Sequence, residues 1–360
     1  LLTKEAIGGK KQVAAPESIF YKFIILQAFP QEGPGTGPGV DPALVFAPFS
    51  LGYTQTDMSV TTPLDLFWTG QPRCIASALL QSENSAFLID PGPGSTLETL
   101  REQLQAHGLR VTDLQGVLLT HIHLDHAGAT GQLVQEHPEL QIYVHERGAP
   151  HMVDPANLMN SAGRLYGAEM NRLFGNFLPV PKDNLRVLRG GETLSLGSFD
   201  IQVLYTPGHA SHHVTYFDPA GKVAFVGDTA GICVEGHPFI LPATPPPDID
   251  LDAWAASLHA IEQLQPQRLF LTHFGFADQP IRHLATYKER LQHWANLSAE
   301  ILSRIPEETR AMQAFARTVS EEAAAYLSPV ELSHYLFNGA LNLSWLGLAR
   351  YQRKRQEGKA

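Results

Sequence analysis

An apolar run, Val117 to Thr120, ends against the stretch "THIHLDHAGAT", Thr120 to Thr130. Three histidines, His121, His123 and His126, and one carboxylate, Asp125, stand there within six residues of each other. With this chain's histidine and aspartate usage, a chance match to H-x-H-x-D-H is on the order of one in a thousand. The stretch therefore constrains the fold. It requires a strand whose end delivers several metal-ligating side chains to one place.

Short apolar runs alternate with helical patterns on both sides of it. Ile75 to Leu80 and Ala86 to Ile89 read as strands around the turn "SENS", the second ending at "DPGPG", Asp90 to Gly94. Gln141 to Val144, Ile201 to Tyr205, Val223 to Val226 and Arg268 to Thr272 read as further strands. Helical spacing falls over Thr96 to His107, Gly128 to Glu136 and Leu251 to Leu264. Strands that alternate with helices predict an α/β architecture.

Gly148 to Phe177 reads as a helical excursion packing on the core, with a wall of a substrate pocket as the lesser alternative. After Asp278 the pattern is helical to the end. Ile281, Leu284, Tyr287, Leu291 and Trp294 form one stripe, and Leu341, Trp345 and Leu348 another. The basic tail "RYQRKRQEGK" reads as a solvated helix end favoured by the helix dipole. Residues 1–60, with "QEGPGTGPGVDP", read as an extension or linker. The expected division is 1–60 extension, 61–278 catalytic domain and 279–360 helical C-terminal subdomain, with the folded part starting near Asp65.

Four polar motifs sit where apolar strands stop: "LLTHIHLDH", "LYTPGH", "AFVGD" and "FLTHFG". They add His209, Asp228 and His273 to the first cluster. In layered α/β folds the carboxyl ends of strands form the crevice where ligands bind, so four such stations can converge. Imidazole nitrogens and carboxylate oxygens suit a borderline metal such as zinc. Five histidines and two aspartates exceed one tetrahedral ion and match two ions sharing a ligand. A bridging carboxylate spans the roughly 3.5 to 4 Å between the ions of two-metal hydrolytic sites.

With these four stations in this order, the chain resembles the metallo-β-lactamase superfamily, and within it the glyoxalase II-like branch, whose T-H-x-H-x-D-H signature is met by Thr120 to His126. The resemblance covers about residues 65 to 275 and implies an αββα sandwich with the metals at one edge. It implies that His121, His123 and His209 bind the first metal, that Asp125, His126 and His273 bind the second, and that Asp228 bridges them. It implies two divalent ions, zinc first, with iron or manganese as alternatives. Asp90 matches a family position that supports the site from behind its ligands, and His213 falls where some members carry a histidine. His145, His151 and His212 read as surface or satisfied core histidines, with a place lining the cleft as the lesser alternative.

The function implied is a metal-dependent hydrolase that uses a metal-bridging hydroxide to cleave a small ester, thioester or lactone, with Asp125 and Asp228 as its catalytic carboxylates. A mononuclear iron dioxygenase acting on a persulfide, and a non-catalytic binding protein on the same fold, are the alternatives. The segment "GDTAGICVEGHPF" lacks the Cys-Gly element of glyoxalase II enzymes, and Thr229 to Gly231 stand where lactonases place a tyrosine.

The formal net charge of -10 speaks against a general affinity for nucleic acid or an anionic membrane. The expected partner is a small-molecule substrate, and a homo-oligomer stays open. Cys74 and Cys233 lie too far apart in sequence for a C-x-x-C pair, and a cytoplasmic, reducing setting fits them. "IFYKFIILQAF", Ile19 to Phe29, is interrupted by Lys22 and reads poorly as a signal peptide. No run reaches the 18 apolar residues of a membrane span.

Overall fold

The computed structural model describes residues 59–234, 237 and 239–358. The expectations for the extension and for Ile19 to Phe29 lie outside these residues, apart from Val60, which already belongs to a strand.

Two six-stranded mixed sheets face each other. The first runs in chain order: β1 (Val60–Asp65), β2 (Ala76–Gln81), β3 (Ala86–Ile89), β4 (Gly116–Leu118), β5 (Gln141–His145) and β6 (Leu185–Leu188). Its first three strands pair antiparallel and the rest parallel. The second sheet is built from β7 (Thr193–Leu196), β8 (Phe199–Tyr205), β9 (Val214–Asp218), β10 (Val223–Gly227), β11 (Arg268–Leu271) and β12 (Gly275–Ala277). Only its β10–β11 pair is parallel.

Period-two burial explains why both sheets are apolar on both faces. Along β2, Ala76, Ala78 and Leu80 enter the core between the sheets, while Leu79 faces outward into a second core. Along β10, Val223 and Phe225 point between the sheets, while Ala224 and Val226 join a third core. Each outer face is covered by helices, which gives the αββα layering.

Over the first sheet lie α1 (Leu97–Ala106), α2 (Leu124–Ala127), α3 (Thr130–Glu136), α4 (Ala149–Val153), α5 (Ala156–Tyr166) and α6 (Met170–Phe174). Over the second lies α7 (Leu251–Gln263), where Trp254, Leu258 and Ile261 are buried and the Asp250 carboxylate caps the N–H groups of Asp252 and Ala253.

The same outer core continues into α8 (Pro280–Arg304), α9 (Glu308–Ala324), α10 (Pro329–Gly339) and α11 (Leu341–Gln356). Leu284, Tyr287, Leu291 and Trp294 of α8 are buried as their spacing predicts. Ile281 is not: it is 58% exposed, because it lies off the face on which Pro280, His283 and Leu284 are buried.

The strand at Val60–Asp65 corrects the expectation that the fold starts near Asp65. β6, β7, β9 and β12 also carry no clear sequence signal. They are short; β6, β7 and β12 carry exposed or half-buried positions, as at Arg186 and Val187 of β6, whereas β9 is buried along its length but has Thr215 and Asp218 among its five residues. Among the described residues no helix is long and apolar enough to cross a membrane.

Candidate metal centre

The polar stations converge at one edge of the sandwich because each follows the carboxyl end of a strand. His121, His123, Asp125 and His126 follow β4, His209 follows β8, Asp228 follows β10 and His273 follows β11. Two glycines let the chain turn there. Gly227, with φ +47°, precedes Asp228, and a Cβ on it would lie 2.6 Å from both His213 Nε2 and Thr120 Oγ1. Gly208 precedes His209 and packs against Trp254, whose Cα would lie 2.4 Å from an added Cβ.

Asp90 ties three of these strand ends together. It is fully buried at the end of β3, with φ +51°. Its Oδ1 accepts from Thr120 N at 2.8 Å. Its Oδ2 accepts from Thr120 Oγ1 at 2.6 Å, from His126 Nδ1 at 2.8 Å and from Thr272 Oγ1 at 2.9 Å. One carboxylate thus orients His126 and fixes the residues that precede His121 and His273.

The other imidazoles are held from behind in the same way. His209 Nδ1 donates to the Ala243 carbonyl and His273 Nδ1 to the Cys74 carbonyl, both at 2.8 Å. Thr120 gives its own proton to Asp90, so its Oγ1 accepts from His121 Nδ1, 3.1 Å away. With Nδ1 taken up in this way, each of these rings turns its Nε2 inward.

Those inward atoms crowd together, and two of them are left without any hydrogen bond. His121 Nε2 and His209 Nε2 each lie 2.9 Å from His123 Nδ1. His126 Nε2 and Asp228 Oδ1, 3.2 Å apart, are buried and make no hydrogen bond. His273 Nε2 lies 3.4 Å from Asp125 Oδ2, and His209 Nε2 lies 3.4 Å from Asp228 Oδ2. Three sets of ligand atoms lie within 4.8 Å of one another: His121, His123 and His209; His121, His126 and Asp228; and Asp125, His126 and His273. All seven residues expected to ligate metal are therefore brought to one place. Converging lone pairs with orphaned buried atoms fit divalent cations, since only a cation lets such acceptors face each other without a cost in unmade hydrogen bonds.

The electrostatics follow from burial among many rings and two carboxylates. Burial and the neighbouring imidazoles hold His121 well below the usual histidine range and bring His123 down to about 3. Burial opposes charge on Asp125 and Asp228 as well, but His126 and its neighbours outweigh it; Asp125 is held at about 2 and Asp228 well below the carboxylate range. His126 and His273 are displaced upward, the nearby carboxylates overcoming burial.

The cluster opens into a cavity of about 290 Å³ lined by His123, Asp125, Asp228 and His273. One wall comes from Leu158, Leu165 and neighbouring residues of α5; the opposite wall is the corner between α10 and α11, with Asn338, Ala340 and Leu343. The excursion between β5 and β6 thus divides its work. Leu173 packs in the core, α5 lines the cavity, and Phe174 and Ala162 do both.

Among the histidines read as isolated, His145 stacks on Tyr205 with centroids 4.5 Å apart, outside the cavity lining. His151 and His212 line the cavity. His213 lies behind His121, stacked at 5.0 Å, with Nδ1 3.1 Å from Thr206 Oγ1 and 3.2 Å from Thr229 Oγ1. The cavity wall contributed by the α10–α11 corner, more than a hundred residues from the first motif, carries no sequence signal.

The model of the metallo-beta-lactamase superfamily matches residues 72–273. A metallo-beta-lactamase fold-containing protein of Sulfurisphaera tokodaii is 27% identical over 171 residues, 47% of this chain and 63% of the relative. The hydroxyacylglutathione hydrolase GloC of Haemophilus influenzae is 32% identical over 152 residues, 42% of this chain and 64% of the relative. The chain thus spans less than two thirds of the length of either. A metallo-beta-lactamase family protein from Thermus thermophilus superposes with a TM-score of 0.58 at 20% identity, covering 83% of this chain and 94% of that one.

Proposed function

Since the chain belongs to the metallo-beta-lactamase superfamily by its match over residues 72–273, we propose that it is a two-metal hydrolase of small ester, thioester or lactone substrates. The observation that carries this reading is the pair of buried, inward-facing atoms left without a hydrogen bond at the centre of the seven side chains, His126 Nε2 and Asp228 Oδ1. His121, His123 and His209 would hold one ion, Asp125, His126 and His273 the other, with Asp228 reaching both. When bound, such ions supply an acidified water and a Lewis acid for the developing oxyanion, with zinc the first choice and iron or manganese next.

The chain's own groups then divide the remaining work. Asp90 and the backbone carbonyls of Ala243 and Cys74 fix the tautomers, so the ligand rings need no reorganisation. Asp125 is the more open carboxylate, with its side chain 26% exposed against 6% for Asp228. Its ionised Oδ2 lies beside the cavity and suits orienting an incoming water or carrying a proton towards a leaving group.

The described lining carries one guanidinium, Arg147, and one carboxylate away from the histidines, Asp248. That balance favours a neutral acyl group against the aliphatic walls over a glutathione moiety with its two carboxylates. The hydroxyacylglutathione hydrolase relative supports cleavage of a thioester as the bond type.

The test is metal content together with a substrate panel. About two equivalents of divalent metal per chain are expected, with hydrolysis of acyl thioesters or lactones exceeding that of lactoylglutathione, phosphodiesters and β-lactams. His123→Ala and Asp228→Ala should lower both metal content and turnover. One iron per chain with oxygen consumption on a persulfide would overturn the proposal.

A further inference from the structure

His212 is a histidine the ligand set does not use, yet it faces the reaction cavity. It sits in the turn between β8 and β9, three residues after His209 and two before β9 begins. That turn is held from both sides: Thr206 N donates to the His213 carbonyl at 3.1 Å, and Val214 N donates to the Thr120 carbonyl at 2.8 Å. The His212 ring stands edge-on to His123 at a centroid separation of 5.6 Å and lies nearly parallel to His121 at 6.1 Å. It is largely buried and lines the cavity together with His123 and Asp125.

One hydrogen bond sets its tautomer. Ile122 N donates to His212 Nδ1 at 3.5 Å. A backbone N–H can only donate, so Nδ1 carries the lone pair and the proton of the neutral ring resides on Nε2. This is opposite to His121, His126, His209 and His273, whose Nδ1 atoms donate. A ring turned this way offers a metal nothing at Nε2 and offers a substrate oxygen a hydrogen-bond donor. No described protein group takes up that donor in a hydrogen bond.

We infer that His212 binds the substrate's reacting carbonyl oxygen through its Nε2–H and stabilises the negative charge that develops there. The inference rests on the hydrolase reading above. No proton is transferred: the ring keeps it while the oxygen gains charge and loses it again on collapse. A preorganised donor aimed at a developing oxyanion in a dry cavity is worth about 10²- to 10³-fold in rate.

Three variants test it with p-nitrophenyl butyrate on metal-loaded protein. His212→Phe keeps the ring's shape and removes the donor, and kcat/KM should fall by about 10²- to 10³-fold. His212→Gln places an amide N–H at the same distance from the backbone as Nε2 and should stay within about tenfold of the parent, a ratio of about 1.4 kcal/mol. His212→Asn ends one bond short and should be as poor as the phenylalanine variant. Metal content by elemental analysis should be unchanged in all three, which separates substrate binding from ligand positioning.

Wild-type turnover in His212→Phe, a glutamine variant as impaired as phenylalanine, or loss of metal in either would overturn the inference. The tautomer is read independently by 15N NMR of histidine-labelled protein, using the His212→Gln spectrum for assignment. A protonated Nδ1 at His212 would sink the proposal even if no ester is hydrolysed. Absence of wild-type hydrolysis with the expected tautomer would count instead against the hydrolase reading.

Discussion

Asp90 shows how much one buried residue can organise. Four donors converge on its two oxygens, from the ends of two other strands and from His126. Asp90→Ala leaves each of them without an acceptor in a buried setting, where one orphaned polar group costs about 1–3 kcal/mol. Metal affinity should fall by about 10- to 100-fold, measured by chelator competition, because His126 loses the group that orients it.

The cysteines make a second prediction at this scale. Burial pushes the Cys74 thiol up to about 12 and the Cys233 thiol up to about 11, from an ordinary 9.0. Both should resist iodoacetamide at pH 8 in the native state and react once urea unfolds the chain, as mass spectrometry would show. For a thiol whose folded value is raised, the unfolded state deprotonates first. The stability contribution is thus intact below about pH 9 and is lost between about pH 9 and 11, where urea midpoints should fall.

Among elements, α8 separates what periodicity can reveal from what packing decides. Its stripe of Ile281, Leu284, Tyr287, Leu291 and Trp294 is regular in sequence, yet only the last four are buried. Leu284→Ala should cost about 2–5 kcal/mol in urea unfolding. Ile281→Ala should change stability by no more than about 0.5 kcal/mol. Equal losses at both positions would contradict the packing described. The long helices and central strands were legible because their apolar positions repeat over several turns or run unbroken. β1, β6, β7 and β12 were not, because a strand of three to six residues with one exposed side holds too few apolar positions to stand out; nor was β9, which is buried but has only five residues, Thr215 and Asp218 among them.

At the scale of the molecule, the division proposed at residue 278 is one of architecture, not of independent folding. Ala224, Val226, Leu269 and Leu271 of the second sheet share one core with Leu284, Tyr287, Leu291 and Trp294 of α8 and with Phe315 and Trp345 beyond it. The α10–α11 corner also closes one side of the cavity. A chain ended at residue 278 would expose that core face. It should be recovered as aggregate or as a species that binds ANS, whereas a monodisperse folded fragment in size-exclusion chromatography would show that the core is not shared.

By itself the sequence determined the residue types of the candidate ligands, the strand-end position of each station and the α/β class, because these depend on residue type, local spacing and chain order; the αββα layering was legible only through the family resemblance. Tertiary structure alone decided which atoms meet. Nothing in the spacing of "THIHLDHAGAT" tells that Asp90 orients His126, that the α10–α11 corner walls the cavity, or that the Ile122 N–H meets Nδ1 of His212. The reason is physical: a histidine's role is fixed by which ring nitrogen its surroundings bind, and here those surroundings come from strands and helices far apart in the chain.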